Sequence, residues 1–462
     1  MTESTNINRK IKFASAIVTD RVYPGRDEGD RSSARDMSWI AHALVQQVRS
    51  TLQGDIDRVG DKVGDHAHDT LAVDLLIVFV SASLSLDAPA IVTQLRAELK
   101  PKVLLGCSAE GVITNEQEIE DQPSVAIIAA RLPGTTIKPF SLNNTMDDWE
   151  RSLSSDAAFC EMVGAPVGTT PPKLFILLAD PFSTPIEPIL ESFNNNFPGV
   201  PLVGGLASGA NFAGASALLM NDTVQHFGAV GLALSGAIDV DVIVSQGCRP
   251  IGHPYKITRA NENMIFGLNG GAPVKLIQAM LSELPRQDQA LLRNGLYIGH
   301  AIRTPSTDIE DDVLGRGDFL IRGVLDSDAT TGAIVVGDRL NDGEMVQFHL
   351  RDADTAEEDL ALMLAPQALY EPPAGALLFS CNGRGTRLYD HANGDIAIIQ
   401  HALGQPHRPI ELAGFFCAGE IGPIGGRNFL HGHTASLVLF RAAQSATQNP
   451  FDSRDQQGAD PA

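Results

Sequence analysis

The side chains with the strongest chemical potential in this chain of 462 residues gather near its end, between Leu412 and Thr434. Cys417, Glu420, Arg427, Asn428, His431 and His433 stand among glycines 419, 422, 425 and 426. An apolar run, Leu412 to Phe416, leads in, and a second, Ala435 to Phe440, leads out. Backbone freedom and polar chemistry held between buried strands predict a cradle for a small ligand. A second group is Cys381-Asn382-Gly383-Arg384-Gly385, after the apolar run Leu377–Ser380. Arg384 is close enough in sequence to lower a thiol pKa, so Cys381 could attack while His433 or His349 serves as base. No local signature of a cysteine hydrolase accompanies it, and an ordinary buried or ligand-contacting thiol is the preferred reading.

Arg249, Arg384 and Arg427 each lie in a glycine-rich turn after an apolar segment. There a guanidinium can meet a ligand carboxylate with two parallel hydrogen bonds, or a neighbouring acid in a structural ion pair. Glu420 would receive a ligand ammonium, so arginine plus glutamate complements an amino-acid zwitterion. A third opening, Gly106-Cys107-Ser108-Ala109-Glu110-Gly111, adds Cys107, Ser108 and Glu110 to the candidate binding residues. His431 and His433 would share one strand face and, with Cys417 or Glu420, make a thinkable metal set. His253 or His433 is a thinkable haem ligand. A further ligand at diagnostic spacing is missing and no CxxCH occurs, so no cofactor, haem or divalent metal is expected.

These openings imply elements that position them. The runs Leu75–Ser81, Leu174–Ala179 and Leu377–Ser380 are each followed by a helical stretch, at 87–100, from Thr184-Pro185 to Phe197, and at 395–403. A second run then opens into glycine, at Val103, Leu202 and Leu412. The offset between the two runs is 28 residues in the first two copies and 35 in the third. That spacing suits strand-helix-strand crossovers joining parallel neighbours. Loops at the carboxyl ends of such strands share one side of the sheet, where ligands sit. Shorter alternating runs at 215–220, 229–234, 240–245, 319–325, 333–336 and 345–350 read as antiparallel strands. The expected class is α/β, or mixed α+β, with repeated strand-helix-strand units and mixed, partly antiparallel sheets. Residues 54–70 and the cluster Asp308, Glu310, Asp311 and Asp312 read as solvated surface. So does the helix from Asp359 to Ala365 with its acidic run.

With 44% apolar and 19% charged residues, the chain has material for two or three cored domains. A net charge of −22 argues against nucleic-acid and anionic-membrane partners. The first ten residues lack a signal-peptide core, and no apolar run is long enough for membrane insertion. Cysteines at 107, 160, 248, 381 and 417 are odd in number and without CxxC spacing. They predict free thiols and a cytoplasmic location.

Several stretches carry a family resemblance. Gly106–Gly111, Val203-Gly204-Gly205-Leu206-Ala207-Ser208-Gly209 and Ser245-Gln246-Gly247-Cys248-Arg249-Pro250-Ile251-Gly252 resemble the FIST N-terminal domain and its junction. Phe379–Gly385, Gly414–Pro423 and Val346-Gln347-Phe348-His349-Leu350-Arg351-Asp352 resemble the FIST C-terminal domain. The resemblance implies an N-terminal segment 1–36, a FIST N-terminal domain at 37–245, a FIST C-terminal domain at 246–443 and a polar tail at 444–462. It further implies a sensory module for a small-molecule ligand, with amino acids proposed, or a recognition scaffold of the kind found beside F-boxes. The flanking segments are too short for an F-box, kinase or output domain, so signalling is expected through a separate partner protein.

Overall fold

The computed structural model describes residues 11–19, 37–57, 72–142, 153, 155–303, 314–405 and 408–443. All three strand-helix-strand units are present, and each joins a parallel pair. Leu75–Ser81 pairs with Val103–Ala109, Leu174–Ala179 with Leu202–Leu206, and Gly375–Cys381 with Leu412–Cys417. Every residue of these six strands is buried. Burial on both faces is why they read as unbroken apolar runs without alternation. The helix Ala88–Leu99 turns Ile91, Val92, Leu95 and Leu99 inward, while Ile186–Asn196 buries Ile189, Leu190 and Phe193. Their starts differ from the sequence reading. Asp87 occupies the cap position without making the side-chain cap bond. The Thr184 hydroxyl donates to the carbonyl of Gly228 (2.8 Å), tying the helix start to the neighbouring strand.

Each unit forms a sheet of the same plan. An outer strand and an antiparallel neighbour lie beside the parallel pair: Lys12–Thr19 and Ser124–Arg131 in the first sheet, Thr135–Leu142 and Ala229–Gly236 in the second, Ile238–Gln246 and Thr434–Ala442 in the third. The far edge is filled by a hairpin from another unit. The hairpin Val112–Thr114/Glu118–Ile119, made by the first unit, extends the third sheet. The second unit's hairpin, Leu218–Met220/Thr223–Gln225, extends the first sheet. The third unit's, Glu420–Ile424/Arg427–His431, extends the second. The exchange is cyclic, so all three sheets close on one core. There Phe79 meets Phe415 (ring centroids 4.9 Å apart) and Phe13 stacks on Phe440 (5.2 Å).

One glycine recurs at matching register in all three pairs. A Cβ on Gly106, Gly204 or Gly414 would overlap the carbonyl oxygen of Val78, Leu177 or Leu378, the residue directly opposite in the parallel partner. Glycine in a buried strand marks close backbone approach, and here it defines the repeat.

Between Ile238–Gln246 and the helix Ala353–Leu364, the third unit carries an inserted closed barrel. Its wall runs Cys248–Asn261, Met264–Leu268, Ile334–Val336, Phe319–Ser327, Tyr297–Ala301 and Met345–Arg351. Two sequence expectations are corrected here. The helix at 353–364 starts earlier than expected and is not wholly solvated: Asp359 is buried and accepts from Ser245 Oγ and Gln246 N (2.8 Å each). The glycine-rich stretch after Cys417 is a hairpin and not an open cradle. Gly425 and Gly426, both with positive φ (57° and 81°), supply the two-residue turn between Ile424 and Arg427. Most of the expected loop at 54–70 and the cluster Asp308–Asp312 lie outside the described residues.

Candidate functional site

Because the three pairs are parallel and meet at one core, their carboxyl ends converge. The structure places an open cleft of about 520 Å³ at that convergence. Ser81 closes the first strand of unit one and Glu110 follows the second; Phe182 and the 207–211 turn come from unit two; Asn382 and Ala418 come from unit three. Asp121 completes the rim. The Glu110 backbone N–H donates to Ser208 Oγ (2.7 Å), and its carboxylate accepts from Asn382 Nδ2 (3.3 Å) and pairs with Arg387. Asp180, fully buried, accepts from the Ser183 N–H (2.9 Å), the Ser183 hydroxyl (2.6 Å) and the Phe182 N–H (3.2 Å). Those bonds fix the turn that leaves the Phe182 ring half-exposed on the wall. The cleft thus offers hydroxyls, amides, two carboxylates and one aromatic face.

A second polar group is buried where the barrel meets the third sheet. Arg351 ends its barrel strand opposite Cys248, and a Cβ on Gly383 would stand 3.4 Å from both its terminal nitrogens. Arg384 Nη1 faces Gly247, where a Cβ would come within 2.9 Å. The His433 ring lies edge-on to Tyr297 (4.5 Å), and its carbonyl accepts from Gly247 N (3.0 Å). Glu420 is fully buried and accepts from Thr434 N (3.1 Å) and Oγ1 (2.8 Å) through one oxygen only. Burial, against those hydrogen bonds, lifts its carboxyl to about 8. Burial, with the charges of Arg351, Arg384 and Arg322, lowers His433 to about 4.

The sequence candidates therefore separate. Glu110 reaches the cleft, while Cys381, Arg384, Glu420 and His433 belong to the buried group. Arg384 is not an open fork: Nε and Nη2 are held by Asp395 (2.9 and 2.6 Å), and Nη2 also donates to Tyr389 Oη (2.7 Å). Cys107 and Cys417 are core residues, both raised well above the usual thiol range by burial. Ser108 exchanges bonds with the Ala217 backbone (2.8 and 2.9 Å). Asn428 accepts from Leu202 N (2.8 Å) and donates to the Val200 carbonyl (3.1 Å), seating the third unit's hairpin on the second sheet. Arg249 is shared between Asp352 (2.7 Å) and Asp288, and Arg427 pairs with Glu191 (2.8 Å) on the surface.

The geometry does not make Cys381 a nucleophile. Burial, then the nearby Glu420, pushes its thiol to about 12, against opposing backbone N–H groups of Gly383 and His433. His349 packs on Phe319 within the barrel (5.0 Å) and hydrogen-bonds the Gln347 carbonyl (3.0 Å). His431 and His433 do not share a strand face. His431 ends its strand bonded to the Gly422 carbonyl (2.9 Å), whereas His433 turns the chain with φ of 65°. Among the described residues, no three His, Cys, Asp or Glu side chains come together as a metal set. All five cysteines are buried free thiols. No described helix is long and apolar enough to cross a membrane.

Sequence reasoning missed Arg351, Asp395, Asp121 and Asn382. Arg351 carried a usable signal: a cation ending a strand, Met345–Arg351, whose interior is wholly buried. Asp395 read only as a helix start.

Three repeated sheets with a barrel inserted in the last, and a cleft at their convergence, describe a two-domain α/β protein. The chain belongs to the FIST family: residues 74–271 match the FIST N domain and 274–423 the FIST C domain. It is 38% identical over 411 residues to the uncharacterized protein Rv0628c of Mycobacterium tuberculosis, covering 88% of this chain and 98% of that protein. It is also 37% identical over 407 residues to the uncharacterized protein Mb0898c of Mycobacterium bovis, covering 88% and 96%.

Proposed function

We propose that this protein is a small-ligand-binding sensory module for amino acids or other small carboxylates, with its output passed to a separate protein. The observation that carries this reading is the cleft of about 520 Å³ fed by the strand ends of all three units. Its volume falls in the range of small-molecule sites, and its position follows the rule for open α/β sheets. Asp121 on the rim suits an ammonium group. The Ser83 hydroxyl and the Asn382 amide suit the oxygens of the same ligand. The sensory class of FIST domains supports the signalling role.

A thermal-shift panel of the amino acids and small carboxylates tests the reading, since a ligand stabilises by RT ln(1 + [L]/Kd). An amino-acid hit should be abolished by Ala210→Trp, which fills the cleft, and weakened roughly tenfold by Asn382→Ala. A hit untouched by both substitutions would move the site elsewhere.

A further inference from the structure

We propose that the buried polar group between the barrel and the third sheet is a second binding site, specific for a small monocarboxylate paired with Arg351. Its first support is a concentration of unmet hydrogen-bonding capacity. Arg351 Nη2, Arg384 Nη1, Glu420 Oε1 and His433 Nδ1 are all buried without a partner. Buried polar atoms are bonded in the great majority of cases, and an orphan carries the full cost of losing its water. Four in one buried group call for a hydrogen-bonding partner. Arg384 and Glu420 are at most 1% exposed, so they cannot turn to bulk solvent.

The second support is charge. Asp395 neutralises Arg384. Arg351 has no carboxylate partner among the described residues; its neighbours are Tyr297, Cys248 and the Cys381–Gly383 turn. Glu420 does not balance it, because burial holds that carboxyl largely protonated at neutral pH. One uncompensated guanidinium calls for one negative charge, and its planar fork matches a carboxylate. The neutral Glu420 acid retains a donor for a carboxylate oxygen.

The third support is shape. Gly383 leaves free the position a Cβ would take beside both Arg351 nitrogens, whereas at Gly247 that position is already crowded by Arg384 Nη1 (2.9 Å). A carboxylate seated there would touch the barrel through Arg351 and the third sheet through Glu420 and Gly383. It would therefore bridge the inserted barrel and the sheets. The proposal does not depend on the cleft reading.

The test uses the full-length protein with sodium acetate and glycolate as probes, followed by calorimetry and thermal shift against sodium chloride at equal ionic strength. Saturable carboxylate binding is expected. It should weaken at least tenfold in Arg351→Gln, recover in part in Arg351→Lys, and persist in Ala210→Trp. Gly383→Ala, a substitution of one methyl group, should also weaken it and guards against misfolding of the arginine variants. Inorganic phosphate binding in place of the carboxylates would overturn the ligand class. Carboxylate binding unchanged by Arg351→Gln and Gly383→Ala, or no saturable response to either probe, would overturn the site.

Discussion

Asp395→Ala should be among the most damaging single substitutions in the protein. Asp395 is wholly buried at the start of the helix Gly394–Leu403. It accepts from Arg384 Nε and Nη2 and from the hydroxyls of Tyr389 and Ser380 (both 2.8 Å). Burial alone would raise its pKa; the charge of Arg384 and these hydrogen bonds outweigh that and hold it low. Removing it strands a guanidinium that is 1% exposed. Breaking a buried pair from one side costs about 3–5 kcal/mol, a large part of the roughly 5–15 kcal/mol that holds a protein folded. Replacing both partners by apolar residues removes the stranded charge, so Arg384→Met with Asp395→Leu should recover much of the loss. Urea unfolding of the wild type, both single variants and the double variant gives the coupling, expected at about 2–3 kcal/mol. A loss below about 1 kcal/mol in Asp395→Ala, or a double variant as unstable as the summed singles, would refute the reasoning.

Two further outcomes follow from the same structure. Glu420, at about 8 when folded, lies above its unfolded value near 4.5, so its stabilising contribution is complete below that value and is lost as pH rises through 8. Relative to Glu420→Gln, the wild type should lose about 1–2 kcal/mol between pH 6.5 and 8; parallel pH profiles of urea midpoints would contradict this. Gly414→Ala forces a methyl group into the Leu378 carbonyl and should cost about 3 kcal/mol, with Gly106→Ala similar at its own position. An unchanged melting temperature in either variant would show that the strands can separate without penalty.

The repeat was legible because its strands are buried on both faces, and continuous apolar runs ending in glycine survive as a pattern. Helix faces such as Ile91, Val92, Leu95 and Leu99 were legible for the same reason. The hairpin at 420–431 is not legible from its glycines, because the same Gly425-Gly426 pair suits a ligand loop and an ordinary two-residue turn. The fate of each arginine was not legible. Arg249, Arg384 and Arg427 share a local setting, yet their carboxylate partners lie between 11 and 236 residues away in sequence. Local pattern carries no information about such partners. The same applies to Asp359, whose burial depends on the strand containing Ser245.

The cyclic exchange of hairpins bears on how the chain can be made. As it leaves the ribosome, the first sheet cannot complete its edge until residues 218–225 have emerged. The second must wait for 420–431. The hairpin at 112–119 is synthesised early, yet its partner strand is Leu412–Cys417. None of the three sheets can mature separately during translation, and the long-range pairing points to slow, late consolidation. A fragment ending near residue 271 would leave Ile238–Gln246 without Thr434–Ala442, its partner along the whole strand. Unpaired strand edges of that kind invite association between chains. Expression of isolated halves is therefore a poor route to either domain, whereas mixing the two halves during refolding offers each the edge it lacks.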